Sequence, residues 1–187
     1  MSALPGAGKT SLARALEQHG FTRLCPDEEM WLRYGHYGTD FPRGEFKVRE
    51  APVLADLAVE FQEALRRGED VVFDHGWWTP EERASWQRLA IEVGVAPLMV
   101  YLNVSHETRW ARIQRRNARA HADANAISFT ESDLRRYEGR FISPSDTEPH
   151  IVYDGNPASI LFALAQVEAH PEQPQGNSMG DTPKQTR

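Results

Sequence analysis

The run Leu4-Pro5-Gly6-Ala7-Gly8-Lys9-Thr10-Ser11 constrains this chain more than any other stretch. Small residues let a backbone curl so that its N–H groups point inward at an anion. A lysine beside them reaches the outer phosphates of a triphosphate, and the next hydroxyl ligates Mg²⁺. Gly8, Lys9 and Thr10 match the second half of the Walker A pattern G-x-x-x-x-G-K-[ST], while Ala3 stands where the first glycine belongs. Downstream, Leu12, Ala15 and Leu16 follow helical spacing until His19-Gly20 stops them. A helix that starts at such a loop adds orphan N–H donors and the positive end of its dipole. Pro5, Gly6, Ala7, Gly8, Lys9, Thr10 and Ser11 are therefore the candidate phosphate-binding residues.

Such a loop needs a strand leading into it, and a strand usually takes about five or six residues. Only Met1, Ser2 and Ala3 precede the loop. The expectation is a truncated first strand, with a longer natural chain supplying the apolar residues upstream.

Strand and helix patterns alternate along the rest of the chain. Short strands are expected at Phe21–Leu24, Val71–Asp74, Pro97–Leu102 and Ile151–Asp154. Helices are expected over Asp27–Tyr34, over the apolar face of Val53, Leu57, Phe61 and Leu65, and from Thr79 to about Val93. Further helices start at Ser105, Thr130 and Asn156-Pro157. Gly35–Gly44 reads as a loop. This alternation predicts a three-layer α/β/α fold around a parallel sheet, with ligands beyond the carboxyl ends of the strands. Residues 1–168 form the expected domain. Residues 169–187 are polar and Pro-, Gln- and Gly-containing, and are expected to be a disordered tail.

Composition narrows the function classes. The net charge of −6 gives no global case for nucleic acid, although a local basic patch remains open. The single cysteine, Cys25, cannot form an internal disulfide. No apolar run approaches the about 20 residues of a membrane span, and the start of the chain lacks a signal-peptide pattern. A cytoplasmic location is the expectation. Nothing here fixes the oligomeric state.

Two carboxylates stand at the ends of expected strands, on the rim that the phosphate loop occupies. Asp27 is either a base toward an acceptor hydroxyl or a helix N-cap, and it can serve as both. Asp74 is either a Mg²⁺ ligand beside Thr10 or an ordinary turn residue. His75 and the pair Trp77-Trp78 follow it and read more readily as structure than as chemistry. Arg109, Arg112, Arg116 and Arg119 share one helix face, and Arg135, Arg136 and Arg140 follow an alanine-rich stretch. These arginines are a solvated surface, a nucleic-acid patch, or a lid over a triphosphate.

The stretches LPGAGKTSLA, CPDEEMW and RIQRRN resemble those of small P-loop kinases. The resemblance is to the AAA_33-like kinases related to zeta toxins, chloramphenicol phosphotransferase and the kinase domain of polynucleotide kinase. Adenylate and gluconate kinases are more distant. It covers about residues 1–167 and implies an ATP- and Mg²⁺-dependent transfer of the γ-phosphate to a hydroxyl. It makes Asp27 the base and Asp74 the third-strand carboxylate. Arg112 and Arg116 become lid residues that meet adenine and phosphates, within a lid of about residues 109–140. It also places Gly155, Asn156 and Pro157 at the adenine. The acceptor is expected to be a small molecule, with a polynucleotide end less favoured by the acidic charge. Two other expectations stand beside this one: a nucleotide-binding regulator without catalysis, and a toxin-like kinase held by a protein partner.

Overall fold

The computed structural model describes residues 1–118 and 127–169. Arg119 and nearly all of the expected tail lie outside the described residues. The elements run α1 (Lys9–Glu17), β1 (Thr22–Leu24), α2 (Pro26–Tyr34), α3 (Phe46–Arg66), β2 (Val71–Phe73), α4 (Pro80–Ile91), β3 (Val100–Tyr101), α5 (His106–Asn117), α6 (Glu131–Glu138), β4 (Ile151–Val152) and α7 (Pro157–Ala169). A 3₁₀ turn, Arg43–Glu45, leads into α3.

The strands are short and parallel. β1 pairs with β2, with Thr22 opposite Val71 and Leu24 opposite Phe73. β3 pairs with β4, with Val100 opposite Ile151. Residues 1–3 lie between these two pairs. The Ser2 N–H donates to the Val100 carbonyl (2.8 Å), and the Ser2 carbonyl accepts from Leu102 N–H (3.1 Å). On the other side, the Met1 carbonyl accepts from Trp77 N–H (3.1 Å). The spatial order is thus β1, β2, residues 1–3, β3, β4. The expected first strand amounts here to a single bridge between Ser2 and Tyr101, at the centre of the layer.

Helices cover both faces of that layer because both faces are apolar. One core joins Ala3, Leu12, Leu16, Val72, Val100 and Ile160, which packs α1 and α7 against the sheet. The other joins Leu24, Met30, Val53, Leu57, Phe73 and Trp77, which packs α2 and α3 on the opposite face. Each such buried aliphatic or aromatic side chain contributes roughly 1.5–3 kcal/mol. This confirms the α/β/α layering expected from the sequence.

The helix starts follow their sequence signals. Thr79 and Glu82 form a reciprocal capping box at α4, as do Thr130 and Asp133 at α6. Ser105 accepts from Thr108 N–H at the start of α5. The helix expected around Val53 begins earlier, at Phe46, and runs through Pro52. Proline removes one N–H, but the apolar face beyond it packs on the sheet and carries the helix across. Arg83 is fully buried and ties the chain after α6 to α4, donating to Glu148 (2.5 and 2.7 Å) and to the Ile142 carbonyl (2.7 Å).

Candidate active site

The loop from Pro5 to Gly8 turns the chain from the sheet centre into α1. Gly6 has φ 79°, in the left-handed region, and a Cβ there would sit 2.8 Å from the Arg109 carbonyl. Only glycine meets both conditions, so the loop can press against α5. Gly8 is the N-cap of α1, with φ 105°. The helical ladder starts with Leu12 N–H donating to the Gly8 carbonyl, 3.0 Å. The amides of Lys9, Thr10 and Ser11 precede that ladder and are the orphan donors of the helix start. The Ala7 amide is used differently, donating to the Leu4 carbonyl at 3.2 Å.

Lys9 curls back so that its ammonium donates to the Leu4 carbonyl, 3.3 Å away. Burial pulls its pKa below the ordinary lysine value, against the pull of the Asp74 and Asp27 charges. A cation held this way gains most when a phosphate arrives.

Asp74 directly follows β2, and its side chain is only 1% exposed. Thr10 Oγ1 donates toward its Oδ1, 3.4 Å. The other oxygen, Oδ2, accepts from Arg23 Nε (3.0 Å) and Nη2 (2.7 Å). Arg23 also spans to Glu28, with both contacts at 2.9 Å. Although burial opposes it, the hydrogen bond to Asp74 makes Arg23 more basic than an ordinary arginine. Arg23 was invisible to strand patterning, whose only cue was a charge beside the buried Leu24.

Asp27 stands in the first turn of α2. The N-cap is Cys25 and Pro26 is the first helical residue, so Asp27 is not the cap. This corrects one of its two sequence interpretations: the proline takes the first position and pushes the aspartate one place inward. Burial raises the Asp27 carboxyl above its usual range, Lys9 opposes the rise, and Asp74 adds to it.

The arginines divide. Arg112 Nη1 donates to the Ala7 and Gly6 carbonyls, 3.0 and 3.3 Å, and so lies across the loop. Arg116 Nη2 donates to the Ile127 carbonyl (2.8 Å), and its guanidinium sits 5.5 Å from the Phe129 ring centre. Its charge is still felt by both Lys9 and Asp27. Arg109 is buried and binds the Val104 carbonyl (2.9 Å) and Glu138 (2.5 Å). Arg135 and Arg136 pair within α6, with Glu131 and Asp133. Gly155, Asn156 and Pro157 form the turn after β4, where Asp154 Oδ1 accepts from Asn156 N–H at 2.9 Å. That turn shares the strand-end rim with the loop.

Two residues with little sequence signal join the site. His75 follows Asp74, and its Nε2 lies 3.9 Å from Glu50 Oε1 on α3. Trp77 is core, stacked on Trp86 at 4.7 Å. Trp78 instead faces Tyr137 at 4.9 Å.

The donor set fits a Mg–nucleotide. Mg²⁺ keeps several waters and takes one or two protein oxygens plus phosphates, and Thr10 with Asp74 offers that set. A separate groove of about 920 Å³ opens between β2 and the segment leading to β3, and none of the residues Pro5–Ser11 line it.

A family model described as AAA domain, AAA_33, matches residues 2–144, from the sheet centre through the arginine helices. The chain belongs to this AAA_33 family. Solved structures agree with the fold. The structure of a "putative kinase" from Chloroflexus aurantiacus superposes with a TM-score of 0.69 at 18% identity, over 88% of this chain and 94% of that one. A sugar kinase from Janibacter sp. HTCC2649 gives 0.57 at 17% identity, over 90% and 92%. No protein of curated function matches the chain. The AAA_33 match includes Lys9, Asp27, Asp74, Arg112 and Arg116, and stops short of the turn at Gly155. Among the described residues, no helix is long and apolar enough to cross a membrane.

Proposed function

We propose that this AAA_33 domain transfers the γ-phosphate of MgATP to a hydroxyl of a small molecule. The observation that carries the proposal is the convergence of Lys9, Asp27 and Asp74 on the mouth of one glycine loop: the charges of Asp74 and Asp27 act on Lys9, and those of Lys9 and Asp74 act on Asp27.

The roles follow from position. The amides at the start of α1 and the Lys9 ammonium hold the β- and γ-phosphates. Thr10 and Asp74 hold Mg²⁺, which neutralises charge on those oxygens. Asp27 accepts the proton of the acceptor hydroxyl. The acceptor oxygen then bonds to the γ-phosphorus, and the bond from that phosphorus to the bridging oxygen breaks, leaving ADP. A carboxyl raised by burial is a better base than one in water. Arg112 and Arg116, on α5, neutralise the transferring charge, and α5 with α6 forms the lid. In this scheme Arg112 leaves the loop carbonyls when a nucleotide enters, and the turn Gly155-Asn156-Pro157 lines the base. A small hydroxylated acceptor accords with the sugar kinase among the structural neighbours.

Asp27→Asn tests the central assignment. Turnover, followed as ADP release, should fall by about 10²–10⁴-fold. MgATP affinity should stay within about twofold, because the asparagine keeps the shape and removes only the base. A variant with full activity would remove Asp27 from the chemistry.

A further inference from the structure

Glu50 is a carboxylate that the scheme above leaves unused. It sits in the first part of α3, and its side chain is only 15% exposed. Its Oε1 lies 3.9 Å from the His75 Nε2. That ring is packed on Trp77, with ring centres 4.5 Å apart. Burial, then the Asp27 charge, lifts Glu50 to about 7, and Lys47 opposes that rise. A carboxylate mostly withdrawn from water is costly unless hydrogen-bond donors meet it. Such a group beside a reaction centre marks a place where a ligand supplies the missing donor.

The loop after β2 brings His75 to the reacting end of the site. A Cβ on Gly76 would lie 2.5 Å from the Ala3 carbonyl, 3.0 Å from Trp78 Nε1 and 3.4 Å from Lys9 Cε. The loop therefore lies directly on the stem of the phosphate-loop lysine. Glu50 approaches from α3 and His75 from the loop after β2, and the charge of Asp27, on α2, acts on Glu50. Together with Lys9 they ring one mouth.

We propose that Glu50, with His75 beside it, is the acceptor subsite, and that the acceptor is an uncharged polyol whose second hydroxyl donates to the Glu50 carboxylate. This inference rests on the kinase reading above. Charge chooses the class. An acceptor carrying a carboxylate or phosphate would set a third negative group against Asp27 and Glu50. An ammonium would meet Lys9 and Lys47, which already supply positive charge there. A hydroxyl gives each carboxylate a donor and adds no charge. The His75 ring, 3.9 Å from Glu50, offers a ring nitrogen to the same molecule.

The test pairs neutral polyols (glycerol, ribose, glucose, myo-inositol) with charged counterparts (glycerate, ribose 5-phosphate, gluconate, glucosamine). MgATP-dependent ADP release is measured for each, on the parent and on Glu50→Gln. MgATP affinity by calorimetry is measured on both proteins. The expected result is turnover with at least one neutral polyol and a preference for it over its charged counterpart. Glu50→Gln should raise KM for that polyol about ten- to a hundredfold, with a smaller change in kcat and unchanged MgATP affinity. A preference for charged acceptors, an unaltered KM in Glu50→Gln, or no turnover with any neutral polyol while MgATP binds would each overturn the inference. Absent MgATP binding to the folded parent would overturn the kinase reading instead.

Discussion

At the scale of single residues, the site is built from groups whose local cost is repaid only by position. Gly6 combines a left-handed φ with contact against the Arg109 carbonyl. Gly6→Ala should therefore destabilise the fold by about 1–3 kcal/mol, read as a lower urea midpoint at unchanged slope. Glu50 makes a second prediction with a definite sign. Its carboxyl moves from an ordinary 4.5 to about 7 on folding. Between those values the folded chain holds the extra proton, so stability falls as pH rises from about 4.5 to 7, then levels. Glu50→Gln removes this dependence and should be more stable than the parent at pH 8, by an amount on the order of 3 kcal/mol. Urea unfolding of both proteins at pH 4.5 and pH 8 measures it, and equal slopes would show that Glu50 is not buried as a charge. Lys9, Thr10 and Asp74 were legible because their motif or strand-end position names them. Arg23 and Glu50 were not, because their roles come from partners distant in sequence: Asp74 for the first, His75 for the second.

Among the elements, capping chemistry was the most legible. Thr79, Ser105 and Thr130 start their helices as their side chains dictate. Strands were harder, since Val100–Tyr101 and Ile151–Val152 are only the paired parts of longer expected runs. Side-chain pattern reports which face is buried but not how many residues find a hydrogen-bonded neighbour. How α5 meets α6 was unreadable. The two helices are clasped by His106, whose ring lies 2.6 Å from Glu138 and 3.3 Å from Glu131, and by Arg109 on the same Glu138. The Glu138 hydrogen bond raises the His106 pKa above its usual value. The clasp contribution is therefore complete below about pH 6.5 and is lost as pH rises through the raised value. Proton NMR titration of the His106 ring should show an elevated midpoint. Glu138→Gln should bring that midpoint back toward the ordinary value, and an unmoved midpoint would break the assignment.

For the molecule as a whole, the order of the strands sets what the surface can do. Placing residues 1–3 at the sheet centre puts the loop that follows them, the end of β1 and the end of β2 on one rim. Lys9, Asp27 and Asp74 come together for that reason, although they are scattered along the chain. The alternation of strands and helices made this layering readable in advance, whereas the short central segment forms one bridge where a full strand was the pattern's demand. Arg112 of α5 rests on the loop carbonyls at that rim. The most direct measurement is calorimetric titration of the folded chain with ATP in the presence and absence of Mg²⁺, alongside Lys9→Ala. We expect saturable one-to-one binding that strengthens with Mg²⁺ and weakens about ten- to a hundredfold in Lys9→Ala. No binding by the parent, or equal binding by the two proteins, would contradict it.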